Sequence, residues 1–493
     1  MAKKNKPFRP KARRPRGFED RSAETLRAEA RLIQAAFSVY DLHGFEPLQT
    51  PAFEFADALG KFLPDDDRPN TGVFALQDDD EQWMSLRYDL TAPLARFVAE
   101  NYDALAKPYR RYQAGSVFRN EKPGPGRFRE FTQCDADSVG AAGPAADAEM
   151  IMLAADVMRA AGLKDGQYAV RVNNRKLLDG ILEASGVPNT EEGAVQRLQV
   201  LRAIDKLDRL GVDGVEALLG EGRLDDSGAY TEGAKLNASG IKAVLGFTTA
   251  SDPDRLKTIA TLEKLVGQSE RGQSGVEELA QIDNILSSVG FGPDRVSFDT
   301  SIVRGLGYYT GPVFEAELLA DIRDRKGRPV RIGSIGGGGR YDDLVSRFRG
   351  QTVPATGFSF GVSRFLSALE RMNALEAGVK PPVVICAFDR SLMGEYFKMA
   401  SELHAENIRA EVFIGSGNVT KQMKYADRRH AHVAILMGSD EMEAGEVTLK
   451  DLYEGAKAAE AIKSNEEWKS SRPAQQTVSR TEWVAKVKSI LDI

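Results

Sequence analysis

The sequence has little cysteine and no long hydrophobic run. Only two cysteines, Cys134 and Cys386, occur in 493 residues, which excludes a disulfide framework and a zinc site built on cysteine pairs. No apolar run approaches the roughly 20 residues that span a bilayer. The basic first residues are not followed by an apolar core, so we expect neither a membrane partner nor a secretory signal. A reducing, cytoplasmic compartment suits such a chain.

An excess of positive charge is also missing, because the net charge of −6 excludes a generally basic nucleic-acid binder. Local patches are still able to steer a polyanion. Residues 1–16 are the clearest such patch, rich in lysine, arginine and proline. This composition cannot bury a core, so we expect a disordered basic tail. A nucleic-acid-binding arm and a solubilising extension are both open interpretations of it.

The rest of the chain is long enough for two or three domains, and its 42% hydrophobic and 28% charged residues are ordinary for a globular protein. Amphipathic helices are predicted at 22–40, 92–102 and 145–161. The mostly helical, charged stretch 175–292 resembles an insertion between two parts of one sheet. After a linker signal at 374–382, short strands alternate with helices, which predicts a small α/β domain with a mainly parallel sheet.

The most unusual stretch is 110–140, which predicts two strands joined by a turn rich in proline and glycine at 122–126. Side chains alternate between the two faces of a strand. One face of the return strand therefore carries Arg127, Arg129, Phe131, Gln133, Asp135 and Asp137. On the outgoing strand, Arg119 and Glu121 share a face. The hairpin thus presents guanidinium groups at one end, an aromatic ring in the middle, and acid and amide groups at the other end. This order suits a ligand with a phosphate, a flat ring and a cationic group. A solvated, salt-bridged hairpin is the alternative.

Four consecutive glycines, 336–339, invite a phosphate-loop interpretation. A Walker loop is excluded because no Gly-Lys-Ser/Thr sequence ends the run. Glycines that let the backbone approach a ligand closely remain possible. The pair His430 and His432 has no thiol or matching acid nearby in the sequence, so we predict no dedicated metal site.

Five motifs distributed along the chain together resemble one family. FRNE followed by GRFREFTQCDADSVG is similar to motif 2 of class II aminoacyl-tRNA synthetases, GFSFGVSRF to motif 3, and GFEPLQTPAFE to the dimer-interface motif 1. RGLGYYTGPVFE and GGGGRYDDL resemble the two histidine-specific motifs of histidyl-tRNA synthetases. The resemblance covers about residues 16–493, and the combination of all five motifs is highly specific.

The resemblance implies an α+β protein: a class II synthetase antiparallel-sheet catalytic domain with a helical insertion that touches the tRNA acceptor stem, followed by a small α/β anticodon-binding domain. It also implies a homodimer. The reaction would be ATP-dependent activation of L-histidine to histidyl-adenylate, with Mg²⁺ on the ATP phosphates, then transfer to the 3′ end of tRNA(His) with release of AMP and pyrophosphate. The implied boundaries are a basic tail (1–16), two catalytic parts (17–174 and 293–373), the insertion (175–292), a linker (374–382) and the anticodon-binding domain (383–493).

The resemblance also implies a role for each matching residue of the ATP site. Arg119 would hold the α-phosphate, and Glu121 would help to fix the adenine end. Phe131 would stack on the adenine, while Arg127 and Arg364 would hold the distal phosphates.

For the amino acid, the implied set is Asp89, Leu90, Thr91, Arg119, Gln133, Asp137, Arg304, Tyr308 and Tyr309. It divides into residues at the α-amino group (Asp89, Thr91, Gln133) and residues around the imidazole (Asp137, Tyr308, Tyr309). Arg304 would lie beside the carboxylate and the α-phosphate, and with Arg119 it is the expected catalytic pair.

Two departures from the family pattern bear on these expectations. Gly307 stands where an acid usually precedes the two tyrosines, so a supporting partner has been lost or moved. The turn KPGPG is short, which leaves open whether the extra 5′ guanosine of histidine tRNA is read. A regulatory paralogue that partners ATP phosphoribosyltransferase and a sensor of uncharged tRNA are competing hypotheses. Retention of Arg119, Arg304, Arg364 and a C-terminal domain argues against both.

Overall fold

The structure is a computed structural model that describes residues 9–58, 72–124, 127–188, 190–224, 230–302, 309–319, 323, 327–328, 333–372, 379–455 and 474–493. The chain forms two compact units, Met1–Glu376 and Ala377–Ile493. Among the described helices, none combines the length and the apolar character that a membrane span requires.

The first unit contains eleven of the described helices and thirteen of the described strands. The helices are α1 (Ala23–Leu42), α2 (Thr91–Asn101), α3 (Pro144–Ala160), α4 (Arg175–Ala184), α5 (Glu191–Ile204), α6 (Leu207–Leu219), α7 (Ala238–Thr248), α8 (Arg255–Val266), α9 (Glu270–Ser288), α10 (Ser346–Arg349) and α11 (Val362–Arg371). The strands are β1 (Glu46–Pro47), β2 (Phe53–Phe55), β3 (Ala75–Gln77), β4 (Trp83–Leu86), β5 (Tyr109–Phe118), β6 (Glu130–Val139), β7 (Tyr168–Asn174), β8 (Gly222–Leu224), β9 (Tyr230–Glu232), β10 (Val296–Phe298), β11 (Pro312–Leu318), β12 (Ser334–Arg340) and β13 (Ala355–Phe360).

An eight-stranded sheet organises this unit, in the order β1-β5-β6-β13-β12-β11-β7-β10. The six inner strands pair antiparallel, and the two edge strands add parallel pairs. One face of the sheet packs on the hydrophobic core, to which Cys134 and Ala136 of β6 belong. Because side chains alternate along a strand, the neighbouring residues of β6 lie on the other face, where the candidate site is.

Helices α1, α2 and α3 occupy the three stretches where amphipathic helices are predicted. The side chain of Ser22 caps α1 by accepting the Thr25 N–H at 3.1 Å, which satisfies one of the free donors of the first turn. Pro144 at the first position of α3 suits its fixed backbone angle. Between β7 and β10 the chain forms α4 to α9 and one short hairpin, β8–β9, which the sequence pattern did not predict.

The second unit holds a five-stranded sheet and its helices. These are β14 (Val383–Ala387), α12 (Met393–Ala405), β15 (Ala410–Val412), α13 (Val419–Arg428), β16 (Val433–Met437), α14 (Ser439–Ala444), β17 (Glu446–Asp451), β18 (Gln475–Ser479) and α15 (Trp483–Leu491), with a 3₁₀ turn at Arg390–Leu392. The strand order is β15-β14-β16-β17-β18.

The prediction of a mainly parallel sheet in this unit is wrong. β14 pairs parallel with β15 and β16, but β16–β17 and β17–β18 are antiparallel. A parallel return needs a crossover of a dozen or more residues, whereas α14 has only six and ends at Gly445 with φ 67°. The neighbouring strand also brings Asp451 to 3.6 Å from His432, so this histidine does have an acidic partner in space.

Candidate functional site

A cavity of about 450 Å³ opens beside the β5–β6 hairpin, on the face of the sheet away from the core. Its walls come from β6, β12, β13, the start of α11 and the turn between β5 and β6. The lining residues are Arg119, Glu121, Arg127, Phe128, Phe131, Gln133, Ser334, Ile335, Gly336, Gly337, Ser359, Gly361, Ser363 and Arg364. The structure therefore brings together all five residues that the sequence assigns to ATP.

Two aromatic rings hold the guanidinium group of Arg119. Its central carbon lies 4.4 Å from the ring centre of Tyr88 and 5.0 Å from that of Phe131. The Tyr88 hydroxyl donates to Glu121 at 3.0 Å, so Tyr88 is itself fixed. Within the described part of the chain no carboxylate forms an ion pair with Arg119. The charge is thus oriented by ring contacts and remains available to an anion in the cavity.

Glu121 and Arg127 form an ion pair with each other across the opening of the cavity. The Arg127 side chain is 63% exposed. Gly124 and Arg127 exchange backbone hydrogen bonds of 3.1 and 2.9 Å, which closes the tight turn that the proline and glycine content predicts. The resemblance assigns Glu121 to the adenine end of ATP and Arg127 to the distal phosphates. In this structure the two side chains are paired with each other instead.

The predicted face of the return strand needs one correction. β6 begins at Glu130, so the alternation does not extend to Arg127 and Arg129. Arg129 does not line the cavity; its Nε donates to the Glu121 carbonyl at 3.0 Å, and its guanidinium carbon lies 5.9 Å from the Phe74 ring centre. Arg127 reaches the cavity from the turn instead.

The four glycines 336–339 form part of strand β12 and are therefore not a phosphate-binding loop. They allow a very close approach between strands, since a Cβ at Gly338 would lie 1.9 Å from the Gly357 carbonyl oxygen. Gly336 and Gly337 line the cavity with bare backbone. At the start of the same strand, the Ser334 carbonyl accepts a 2.8 Å hydrogen bond from Nη1 of Arg364.

Asp89 and Gln133 present buried oxygen atoms that accept no hydrogen bond in the described part of the chain. Oδ1 of Asp89 accepts the N–H groups of Thr91 and Ala92 at 3.1 and 2.9 Å, at the start of α2, while Oδ2 has no such partner. Burial raises the pKa of Asp89, and the Ala92 N–H and the Arg119 charge oppose the shift. Nε2 of Gln133 donates to Ser359 at 2.5 Å, leaving Oε1 as the acceptor.

Asp137 is held from two sides. Its Oδ1 accepts the Tyr341 hydroxyl, and its Oδ2 lies 2.8 Å from Nη2 of Arg111. Burial is the main cause that raises the pKa of Asp137, and the Arg111 charge opposes it. The same Arg111 nitrogen donates to the Leu90 carbonyl at 2.8 Å, so Leu90 contributes a backbone contact to this cluster.

Of the remaining four predicted positions, the structure describes one. Tyr309 is buried, and a Cβ at Gly339 would lie 3.0 Å from its ring. Arg304, Gly307 and Tyr308 lie outside the described residues.

Two residues that the sequence interpretation did not name, Arg111 and Tyr341, belong to this site, and so does Asp135, which it placed on the polar face of the return strand without a specific role. Arg111 has no exposed surface and lies opposite Asp137 in the β5–β6 register. Because side chains alternate along a strand, Arg111 falls on the same face as Arg119. The sequence therefore contains a signal that identifies Arg111. Asp135 lies between Gln133 and Asp137 on the same face; burial, together with the charge of Asp137, raises its pKa to about 8.

Replacing Asp135 by asparagine should change how stability depends on pH. The pKa of Asp135 is raised from 3.8 to about 8 in the folded protein. As the pH rises, the unfolded chain therefore loses this proton before the folded protein does. The contribution of Asp135 to the free energy of unfolding falls between about pH 4 and pH 8. Across this window the melting temperature of the wild type should fall relative to that of Asp135→Asn. Thermal unfolding at pH 5 to 8.5 measures the difference. The exposed-acid variant Asp343→Asn is the control, and parallel wild-type and Asp135→Asn profiles would contradict the assignment.

Comparison with known proteins adds the family. The family model described as histidyl-tRNA synthetase matches residues 17–365, and the model described as an anticodon binding domain matches residues 382–490. The histidine–tRNA ligase of Caulobacter vibrioides is 56% identical over 489 residues, 99% of this chain and 98% of that protein. That of Bradyrhizobium diazoefficiens is 56% identical over 500 residues, 100% and 98% of the two chains.

Solved structures agree with this relationship. The crystal structure of histidyl-tRNA synthetase from Nostoc sp. PCC 7120 is 26% identical, covers 98% of this chain and 100% of its own, and has a TM-score of 0.72. A Bacillus halodurans protein described as an ATP phosphoribosyltransferase regulatory subunit/histidyl-tRNA synthetase shares the fold at 23% identity and a TM-score of 0.64. It covers 85% of this chain. The chain therefore belongs to the histidyl-tRNA synthetase family of class II aminoacyl-tRNA synthetases.

Proposed function

We propose that the cavity of this histidine–tRNA ligase binds ATP and L-histidine side by side, with Arg119 between them. The observation that carries the proposal is the position of its guanidinium group. It lies against Phe131 on the ATP side, and its charge is close enough to Asp89 to affect the pKa of that carboxyl group on the histidine side. An α-phosphate placed there would face the carboxylate of the amino acid.

In the first step the histidine carboxylate attacks the α-phosphorus and pyrophosphate leaves, so the enzyme needs no covalent nucleophile. Alignment of the two reactants supplies several kcal/mol, up to about 7–11 in favourable cases. Guanidinium groups suit this task because their planar forks bind phosphate oxygens with little reorganisation. Arg119 would hold the α-phosphate, and Arg364 the distal phosphates. Arg304 is assigned to the carboxylate and the α-phosphate from the sequence alone.

Arg127 and Glu121 would exchange partners when ATP binds. In the structure they form an ion pair with each other, and Glu121 also accepts the Tyr88 hydroxyl. A triphosphate near the turn would draw Arg127 to its distal oxygens. Glu121 would then be left to accept a hydrogen bond at the adenine end, beside the ring of Phe131.

The histidine substrate would direct its α-ammonium group at the buried oxygens Oδ2 of Asp89 and Oε1 of Gln133, next to Thr91. Its imidazole would meet Asp137, which Tyr341 and Arg111 hold in place, with Tyr309 as a second wall. A site that hydrogen-bonds a substrate rejects apolar isosteres strongly, because they leave its buried polar groups unpaired. Tyr308 keeps its sequence-based assignment to this pocket.

Mg²⁺ would bind through the ATP phosphates, where it neutralises charge between them. No group of three metal-binding side chains is present among the described residues. Glu121 is the carboxylate that the described cavity lining offers. The protein's own part is then to position the phosphate oxygens through Arg119, Arg127 and Arg364.

The exposed side of the small sheet β2-β4-β3 is the surface that would form the homodimer. Phe53, Phe55 and Leu76 share this face, and they are between 41% and 54% exposed. Exposed aromatic and aliphatic clusters of this kind mark protein contacts. A cytoplasmic location agrees with the two cysteines, which are buried free thiols.

The function is tested by ATP–pyrophosphate exchange with each amino acid, followed by charging of tRNA(His). We expect exchange with L-histidine and not with its apolar isosteres. An absence of exchange with every amino acid would contradict the proposed chemistry, and exchange with a different amino acid would contradict the assigned pocket.

Removal of residues 383–493 should separate the two steps. This segment makes up nearly all of the second compact unit, which has its own hydrophobic core. We expect exchange with histidine to stay within a few-fold of the full chain, because the cavity belongs to the first unit. Charging of tRNA(His) should fall at least tenfold because the anticodon contacts are lost. Equal charging by the truncated and full-length proteins would refute the anticodon-binding role.

A further inference from the structure

The basic tail enters the fold directly at the hairpin that forms the cavity. The Gly17 carbonyl accepts the Arg129 N–H at 2.9 Å, and the ring centres of Phe18 and Phe74 are 5.8 Å apart. Gly17 has φ +86°, and a Cβ there would lie 2.8 Å from Cγ of Arg129 and 3.2 Å from Cβ of Pro123. The chain is therefore packed tightly against the turn between β5 and β6.

Residues 9–16, which we name the basic arm, lead into this anchor and carry five exposed cations: Arg9, Lys11, Arg13, Arg14 and Arg16. No acidic residue occurs before Glu19. Of these five, Arg14 lies 3.7 Å from Asp20 in an ion pair between two exposed side chains, and such pairs contribute little. In a chain of net charge −6, the arm concentrates positive charge at one place.

That place is next to the opening of the cavity. Phe128, at the tip of the same hairpin, lines both the cavity and a small neighbouring pocket that includes Glu19 and Arg21. The two segments thus border the same opening. The charging reaction requires the 3′ end of the tRNA to enter this cavity, so the acceptor end would pass this opening and the segment at Gly17.

We propose that the basic arm binds the phosphate backbone of the tRNA acceptor end as the 3′ terminus enters the cavity. Extended Lys- and Arg-rich segments neutralise phosphates and release counterions, which makes their affinity strongly dependent on salt. Such contacts position the nucleic acid and do not read its sequence. The proposal rests on the ligase function and adds a tRNA contact outside the anticodon-binding domain.

The test compares two full-length variants. In the first, Arg9, Lys11, Arg13 and Arg14 are replaced by glutamine; in the matched control, Arg9→Lys, Arg13→Lys and Arg14→Lys keep the charge. The glutamine variant should raise KM for tRNA(His) in charging about tenfold at moderate salt. Its slope of log affinity against log salt should be shallower by up to about 3.6, at about 0.9 for each lost phosphate contact. The lysine variant should match the wild type.

Exchange with histidine in the absence of tRNA should be the same in all three proteins, which separates this proposal from the ligase chemistry. A photo-crosslinking residue at position 13 should label the acceptor half of the tRNA. Unchanged KM and salt slope in the glutamine variant would show that the arm is only a solubilising extension. Labelling confined to the anticodon half would also overturn the proposal.

Discussion

Replacing Arg119 by alanine is expected to lower histidine-dependent ATP–pyrophosphate exchange by a hundredfold or more. The loss of one preorganised donor to a developing anion typically costs about 10² to 10³ in rate. Arg119 meets that description because Tyr88 and Phe131 fix its guanidinium group before any ligand binds. The rate of the chemical step should fall more than the affinity for histidine, since the donor acts mainly on the α-phosphate.

Two further variants show whether orientation or charge is responsible. Arg119→Lys keeps the charge and loses the planar fork, so we expect it to recover only a small part of the rate. Tyr88→Phe keeps the ring contact and loses the hydroxyl that donates to Glu121, so its loss should be modest. Unchanged melting temperatures would show that the fold is intact. A loss below about fivefold in Arg119→Ala would remove Arg119 from the catalytic pair.

The polar face of β6 was predictable because its residues keep a strict alternation. Phe131 and Gln133 line the cavity, and Asp135 and Asp137 continue below them, while Cys134 belongs to the core. The start of the strand was not predictable. Arg129 is fixed by the carbonyls of Gly17 and Glu121, and such contacts between distant segments leave no trace in local periodicity.

Arg111 was missed for a different reason. Arginine is almost never fully buried unless it is paired, so a pattern analysis treats it as solvated. Its burial depends on Asp137 and the Leu90 carbonyl, which come from other elements. The glycine run of β12 was ambiguous in the sequence, because glycine is typical both of turns and of strands that approach each other closely. Only the register with β13 decides between the two.

Gly357→Ala is expected to raise KM for histidine about a hundredfold, although Gly357 does not line the cavity. It lies opposite Asp137 in the β13–β6 register, and a Cβ there would lie 2.0 Å from Oδ1 and 2.7 Å from Cγ of Asp137. The carboxylate cannot yield easily, because Tyr341 and Arg111 hold its two oxygens. Overpacking of this kind also costs about 1–3 kcal/mol of stability. Exchange rates against histidine concentration, with melting temperatures, measure both effects.

A double-mutant cycle decides whether the effect acts through the carboxylate. Asp137→Ala removes the two atoms closest to the added methyl group, Oδ1 and Cγ, and leaves the Ala136 carbonyl oxygen at 3.0 Å as the nearest neighbour. Gly357→Ala should then change KM for histidine severalfold at most, whereas the same change is about a hundredfold in the wild-type background. Residues in contact show such non-additivity, while independent sites add. If the effects of the two substitutions on KM for histidine are additive, Gly357→Ala acts through the backbone of β13. The imidazole pocket would then not depend on the space that Gly357 leaves for the Asp137 carboxylate.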